Sequence, residues 1–484
     1  MIPLTLQEVA EAAGGVLRDA DGTAVSTGMG TDSRTIRPGD LFVALPGSQT
    51  DGRRFAAAAV AAGAVAAVVQ TQTERGGAGE PGTPEFHGVP RVEVSDPLRA
   101  LMALAAAVRG RSRARVVGIT GSTGKTTTKD LLHAALSTRL RTRANQGSFN
   151  TEVGLPLTLA RLEPDTEALV VEMGARGPGH IAELAALAHP EVGVVLNVGV
   201  AHIGMFGSRE AIAAAKGELV EALPASGTAV LNADDPLVAA MAGRTAARVL
   251  RFGAAAAADV SAEAVTLDDA GCAHLKLRTP AGSAALTLPA PGEHLVSDAL
   301  AAAAAAHVLG LDPDQIAAGL AAARLSPGRM QVGRRADGLT VINDAYNANP
   351  ASLAAALKVL AAARHKEGGR RVAVLGEMAE LGDHAEAEHN QAGRLATRLG
   401  IDRLIGVGPA GQWIVTAARL EGMSPEEALV VPNVTEALAL LTPWLTPADV
   451  VLVKASRVVA LDRLAEQLLS GEGDGNGDDW RVPA

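Results

Sequence analysis

Apolar and polar positions alternate along this chain in a layered way. Short runs rich in Val, Ile and Leu are separated by Ala-rich stretches of helical character, the pattern of an α/β fold. The runs predict strands at Val116–Thr120, Ala168–Met173, Val192–Val198 and Ala229–Asn232. A second set falls at Thr340–Asn343, Arg371–Leu375, Leu404–Val407 and Val450–Lys454. Each set reads as an open parallel sheet with helices between its strands. A helix is predicted over Pro97–Val108, and the basic run Arg109–Arg115 after it reads as a solvated linker. Gly and Pro crowd the stretch Gln70–Pro90, which reads as a long exposed loop. Ser326-Pro327-Gly328 marks a further boundary, and the Gly- and Asp-rich stretch Gly471–Ala484 reads as a disordered tail. The expectation is three α/β domains at 1–113, 114–327 and 328–470, in line with 484 residues at about 150 per domain.

Composition narrows the function classes. Hydrophobic residues make up 48% and aromatics 2%, so the cores must be built from Ala, Val and Leu. Scarce aromatics argue against stacking of single-stranded nucleic acid. A net charge of −10 gives no bulk attraction to nucleic acid or anionic membranes, so an anionic ligand must be held by local groups. The single cysteine, Cys272, excludes an intrachain disulfide and a Cys-rich metal site. The N-terminus lacks a basic region followed by an apolar core, and Ala301–Ala306 is too short and too weakly hydrophobic to span a bilayer. A soluble cytosolic protein, without nucleic-acid partner or membrane insertion and monomeric, is expected.

The strand Val116–Thr120 leads into Gly121-Ser122-Thr123-Gly124-Lys125-Thr126-Thr127 and then a helix. Strand, glycine loop, Lys-Thr and helix form the context of a phosphate-binding loop. Backbone N–H groups converge on phosphate oxygens there, and the helix N-terminus adds its dipole. Lys125 can reach the terminal phosphates, and the Thr126 hydroxyl can ligate Mg²⁺. Ile119 stands where the strict pattern has its first Gly, and a plain Gly-rich turn is the competing reading. Two further strands end in polar groups at the carboxyl edge, where parallel sheets bind ligands. They are followed by Glu172-Met173-Gly174 and by Asn197-Val198-Gly199-Val200-Ala201-His202. Glu172 suits a hard cation. His202 is by itself equally a structural histidine, and Lys216 in Ala215-Lys216-Gly217-Glu218 is by itself an ordinary solvated helix lysine.

Together these pieces resemble the Mur ligase family, the ATP-dependent amide ligases of peptidoglycan synthesis. The resemblance runs from about Thr31 to Leu464. Thr31-Asp32-Ser33-Arg34, Gly39-Asp40-Leu41-Phe42 and Asp51-Gly52 resemble the family's UDP-sugar-binding domain. Asp344-Ala345-Tyr346-Asn347-Ala348-Asn349-Pro350, Leu375-Gly376-Glu377-Met378-Ala379-Glu380-Leu381-Gly382 and Val453-Lys454-Ala455-Ser456-Arg457 carry it into the third domain. The set is most similar to the members that add D-alanyl-D-alanine to UDP-N-acetylmuramoyl-tripeptide.

The resemblance implies a small UDP-binding α/β domain, a central phosphate-loop ATPase domain and a C-terminal Rossmann-like domain. It implies ATP and two Mg²⁺ ions, with an acyl phosphate as intermediate. Carried over residue by residue, Lys125 neutralises the phosphates, Thr126 and Glu172 belong to one magnesium, and His202 to a second. Lys216 corresponds to a carbamylated lysine supporting that second metal. Gly121, Ser122, Thr123, Gly124, Thr127, Asp298, Arg329, Asp344 and Asn347 belong to ATP, and Ser33, Arg34, Asn150 and Thr151 to the UDP-sugar-peptide. In the absence of the resemblance Arg329 reads as a solvated hinge arginine, Asn150 and Thr151 as turn caps, and Asn349-Pro350 as a helix entry. Leu295 and Asp298 stand where the family usually carries Asn linked to adenine. As a carboxylate Asp298 accepts a hydrogen bond but donates none. Ala455 replaces a common Gly and Asn343 a common Asp. The alternatives are a third-residue-adding ligase, a folylpolyglutamate-type synthase, and, from another class, a phosphate-loop regulatory NTPase. The Asp-Asn-Pro-Arg run of ligases that add diaminopimelate is absent.

Overall fold

The computed structural model describes the chain except residues 48–49, 72–85, 87, 146, 148, 202, 364, 366 and 471–484. Most of the Gly/Pro-rich stretch, the terminal tail and His202 therefore lie outside the described residues.

The central sheet has six parallel strands in the spatial order Arg248–Phe252, Thr228–Asn232, Val192–Val195, Arg115–Thr120, Ala168–Glu172, Thr142–Ala144. Arg115–Thr120 lies between Ala168–Glu172 and Val192–Val195, so the chain leaves its carboxyl end where neighbouring connections diverge. Parallel sheets bind ligands at such a crevice. Val192–Val195 ends three residues earlier than predicted. Beyond it Asn197 turns back, and its Oδ1 accepts the N–H groups of Ser122 and Thr123 at 3.1 and 2.9 Å.

The third sheet has the order Gln331–Arg334, Thr340–Asn343, Val450–Lys454, Arg371–Leu375, Arg403–Val407, Ala428–Val431. Only its first strand is antiparallel to its neighbour. Three of the four strands predicted here have the predicted ends, and the fourth starts one residue early. The loops after Asn343, Lys454 and Leu375 leave three adjacent strands side by side.

One sheet was not foreseen. Ser261–Leu267, Cys272–Thr279 and Gly282–Pro291 form a three-stranded antiparallel sheet. Its middle strand buries Ala273, Leu275 and Leu277 and turns His274, Lys276 and Arg278 outward. That period of two was legible. The buried face covers the Ala-rich helix His294–Val308, whose Ala301–Ala306 are completely buried. This is the close helix packing expected of that run.

The basic run is not a free linker. The helix continues from Pro97 to Arg111, and Arg109 Nε donates to the Ala188 carbonyl at 2.8 Å. Burial lowers the Arg109 guanidinium below its usual range. Arg115 already belongs to the central sheet. One apolar cluster runs through Leu101 and Leu104 of this helix to Leu155, Leu159 and Met173. The N-terminal and central parts thus share a core across the 113/114 boundary. Gln70, the first residue of the predicted loop, belongs instead to the strand Ala66–Gln70.

Candidate active site

The glycine loop opens the helix Lys125–Ser137 from Gly124, whose φ of +82° is in the left-handed region. A β-carbon at Gly124 would also overlap the Asp298 carboxylate. Conformation and space both require glycine here. Ser122 and Thr123 are held by Asn197, and the Ser122 hydroxyl accepts the Gly199 N–H at 2.9 Å. Lys125 Nζ lies over the loop, donating to the Gly121 carbonyl at 2.7 Å. Burial pulls its ammonium down in pKa, against the raising influence of Glu172.

Glu172 is completely buried at its strand end. Its backbone N–H donates to Asn145 Oδ1 at 3.0 Å, and its Oε2 accepts from Asn150 Nδ2 at 3.3 Å. Its Oε1 is buried and has no hydrogen-bond partner among the described residues. Burial raises the Glu172 pKa, while Lys129, Lys125 and Arg329 pull it back. An orphaned carboxylate oxygen beside the phosphate loop is costly unless a cation satisfies it. Among the described residues no group of three or more His, Cys, Asp or Glu side chains could hold a metal. A site built on Thr126 and Glu172 suits Mg²⁺, which takes few protein ligands beside substrate phosphates and water.

Lys216 is buried, with 6% of its surface exposed, and lines the same cleft. The solvated reading of this lysine therefore fails. Burial and the nearby Lys125 lower its pKa to about 7. The neighbouring motif residues explain how its helix, Arg209–Glu221, is fixed. Ser208 caps its N-terminus, and Arg244 lies in the space Gly217 leaves, donating to the Ala213 and Ala214 carbonyls. Glu218 accepts the N–H groups of Gly179 and Ala182 at 2.7 and 3.0 Å, capping the N-terminus of the helix His180–Ala188.

The third domain forms the opposite wall. Arg329 Nη2 donates to Thr126 Oγ1 at 3.1 Å, and its guanidinium packs 4.4 Å from the Tyr346 ring centroid. Arg329 is therefore a site residue and not a solvated hinge arginine. Lys454 is buried and forms a 2.6 Å ion pair with Asp344. It also donates to the Asn347 carbonyl at 3.0 Å, and Asp344 Oδ1 accepts the Met330 N–H at 3.1 Å.

These walls enclose a cleft of about 450 Å³. Ser122 to Thr127, Asn150, Thr151, Glu172, Lys216, Arg329 and Asn347 all line it. Five of the described expected residues do not. One is Gly121, buried at the foot of the loop, where its carbonyl accepts from Lys125. Asp344 is turned inward to Lys454. Asp298 is packed under Gly124. Ser33 and Arg34 sit in the N-terminal domain, where Arg34 is exposed and paired with Asp32. Burial raises the Asp298 pKa to about 8, so the side chain is largely an acid at neutral pH. It can then donate a hydrogen bond, contrary to its reading as an acceptor alone. The cleft also takes in Glu152, Arg176, His180, Glu380 and Arg457, to which the sequence reading gave no role.

Comparison with known proteins agrees with this architecture. Residues 119–306 match the Mur ligase middle domain, 328–457 the Mur ligase glutamate ligase domain, and 25–109 the Mur ligase family catalytic domain. The UDP-N-acetylmuramoyl-tripeptide–D-alanyl-D-alanine ligase of Mycobacterium tuberculosis is 44% identical, covering 98% of this chain and 99% of its own. The ligase of the same name from Escherichia coli is 37% identical over 97% and 99%. A crystal structure of MurF from Acinetobacter baumannii superposes with a TM-score of 0.84 at 31% identity, covering 97% and 99%. The MurF ligase of Thermotoga maritima in complex with ADP gives 0.76 at 29% identity, over 92% and 97%. A folylpolyglutamate synthase from M. tuberculosis, at 19% identity and 0.61 over 78% of this chain, shares the fold alone. With three family domains in order around one phosphate-loop cleft, and near-complete coverage by these relatives, the chain belongs to the Mur ligase family.

Proposed function

We propose that the chain is the ATP-dependent ligase that joins D-alanyl-D-alanine to UDP-N-acetylmuramoyl-tripeptide in peptidoglycan precursor synthesis. The observation that carries this is the likeness from end to end to ligases of that name, on a cleft equipped for phosphoryl transfer. Residues 1–113 serve the UDP-sugar-peptide, 114–327 ATP, and 328–470 complete the site. Ser33 and Arg34 lie off the cleft, which suits contact with the nucleotide-sugar end; Asn150 and Thr151 suit the peptide end.

The chemistry is a transfer followed by a displacement. A carboxylate oxygen of the tripeptide attacks the γ-phosphorus and ADP leaves. The dipeptide amine then attacks the acyl carbon, and the tetrahedral intermediate expels phosphate. The first step brings anion to anion, so positioning and charge neutralisation dominate. The N–H groups of the first turn of the helix Lys125–Ser137, the Lys125 ammonium and the Arg329 guanidinium supply these from the protein. Thr126 and Glu172 fit one Mg²⁺, the orphaned Glu172 oxygen being the supporting observation. His202 and a carbamylated Lys216 are assigned to the second. When bound, the metal neutralises charge on the phosphates. A lysine with a pKa near 7 has much of its population as free amine at neutral pH, the form that takes up carbon dioxide. Lys454 and Asp344 act by holding the Asn347 loop against the cleft. No described helix is long and apolar enough to cross a membrane.

The test is coupled release of ADP and phosphate with each substrate omitted in turn. Sustained release only with ATP, UDP-N-acetylmuramoyl-tripeptide and D-alanyl-D-alanine together, and a new amide in the product by mass spectrometry, is expected. ATP hydrolysis indifferent to both organic substrates would mark a regulatory NTPase instead.

A further inference from the structure

The helix Lys125–Ser137 carries a second lysine that the mechanism above does not use. Lys129 stands one turn beyond Lys125 and is only 3% exposed. A buried ammonium needs an acceptor for each of its three N–H bonds. Among the described residues Lys129 Nζ has three: the Asn145 carbonyl at 3.1 Å, the Gly147 carbonyl at 3.3 Å and Asp130 Oδ1 at 2.9 Å. The two carbonyls follow Thr142–Ala144, the edge strand of the central sheet. Asp130 is fixed in turn, its Oδ2 accepting the Ser326 N–H at 2.7 Å. Lys129 therefore ties the phosphate-loop helix to the segment after the edge strand. That segment shapes the Glu172 end of the cleft. Asn145 is buried, its Oδ1 accepting the Glu172 N–H and its Nδ2 donating to the Gly147 carbonyl at 3.2 Å. Three residues beyond Gly147, Asn150 Nδ2 donates to Glu172 Oε2, and the Asn150 carbonyl accepts the Gly174 N–H at 2.9 Å.

We propose that Lys129 is a positioning residue for the UDP-sugar-peptide: its ammonium holds in place the segment that presents Asn150 and Thr151 to the cleft. The inference rests on the ligase reading above, which gives those two residues the peptide end. Lys129 is not itself a substrate contact, since it is buried and its donors are committed to the protein. It acts on main-chain carbonyls, so no neighbouring side chain takes over its task. Removing the ammonium leaves the Asn145 and Gly147 carbonyls short of a donor and the segment free to shift. A shift there reaches Asn150 and Thr151 first. The nucleotide keeps the N–H groups of the helix start, Lys125 and Arg329, which are held from other directions. Asn197 braces the glycine loop, and Arg329 arrives from the third domain. The effect of losing Lys129 is therefore one-sided, falling on one substrate and sparing the other.

The experiment measures both KM values in Lys129→Met, which keeps an unbranched side chain and removes the ammonium. KM for UDP-N-acetylmuramoyl-tripeptide should rise about tenfold or more, and KM for ATP should stay within about threefold of wild type. Calorimetry with a non-hydrolysable ATP analogue present should show the same loss of affinity for the sugar-peptide. A lysine that only stabilises the fold predicts a lower melting temperature with both KM values unchanged, and that result overturns the proposal. An equal rise in both KM values also overturns it, because it would place Lys129 in the service of the nucleotide. If the methionine variant does not fold, Lys129→Gln decides, since its amide still donates. A selective rise in the sugar-peptide KM supports the assignment, and wild-type or equally raised values overturn it. A wild-type chain that ligates nothing overturns the ligase reading itself, an outcome distinct from ligation with an unselective Lys129 variant.

Discussion

Arg329 reaches from the third domain to the phosphate loop, its Nη2 donating to the Thr126 hydroxyl at 3.1 Å. A second contact holds the same two domains together. The Gly204 N–H points to the Glu380 carbonyl at 3.4 Å, and Gly204 packs backbone to backbone against Gly382. A β-carbon on Gly204 would stand 2.8 Å from the Gly382 nitrogen and 3.0 Å from its α-carbon. Backbone cannot swing aside as a side chain can, so Gly204→Ala should push the walls apart. The expected result is a larger radius of gyration by small-angle scattering with both nucleotide substrates bound. A fall in kcat of about tenfold or more should accompany it, because the reacting groups depend on close positioning. Wild-type scattering and wild-type kcat would show that this contact does not govern closure.

Lys454 and Asp344 make a different kind of bridge, within the third domain. Both are buried, and the pair lies 2.6 Å apart. Burial alone would push the lysine toward its neutral form, and Asp344 opposes this. Removing one partner leaves the other charge uncompensated, so Lys454→Met should cost about 3–5 kcal/mol. Adding Asp344→Asn should recover part of that stability, as read from urea unfolding. Ligation should not recover with it, since the Asn347 carbonyl loses its anchor in either variant. A single variant as stable as the wild type would show that the pair is not structural.

The Asp298 carboxyl has a directional pH signature. Its pKa rises from the ordinary 3.8 to about 8 in the folded chain, chiefly through burial. Between those values the folded state binds more protons than the unfolded state. Stability therefore falls with rising pH across that window. Asp298→Asn keeps the shape and cannot ionise. Its melting temperature should exceed that of the wild type by more at pH 8.5 than at pH 6, measured by scanning calorimetry. A constant difference between the two pH values would mean that the group is not buried as an acid.

The parts of the site that were legible are those in which one residue type does one chemical task at a strand end. Gly124-Lys125-Thr126 and Glu172 could be located that way, because parallel strands bring successive carboxyl ends to one edge, whereas Lys216 stands inside a helix and was reached only through the family resemblance. What was hidden depends on distant partners. Nothing near Asp298 in the chain announces that it sits beneath Gly124, 174 residues earlier by number. Asp344 was assigned to the nucleotide through the family resemblance, and its ion pair was invisible because Lys454 arrives on a strand more than a hundred residues later. Arg109 read as solvated because the Ala188 carbonyl it binds belongs to another helix end. The antiparallel sheet at 261–291 is the one case where the local signal was present, in the alternation of Leu275 and Leu277 with charged neighbours.

The carbamate at Lys216 is the assignment most open to direct test. Its helix is held by Ser208, Arg244 and Glu218, so the side chain is delivered to the cleft from a fixed backbone. Burial beside Lys125 disfavours a second ammonium and lowers the pKa to about 7. An unmodified cation there would repel Mg²⁺, whereas a carbamate inverts the sign and attracts it. Labelled bicarbonate should therefore give a carbamate carbon resonance in ¹³C spectra that Lys216→Ala lacks. The Ala variant should lose nearly all ligation and regain part of it with a short carboxylic acid that supplies the missing anion. Lys216→Arg should be as inactive as Ala, since guanidinium keeps the positive charge and forms no carbamate. The rival role is a cation that binds phosphate as an ammonium, and it predicts the reverse: no carbamate signal, substantial activity in the Arg variant and no rescue by acid. That result would remove Lys216 from the metal site and leave it as a second phosphate ligand beside Lys125.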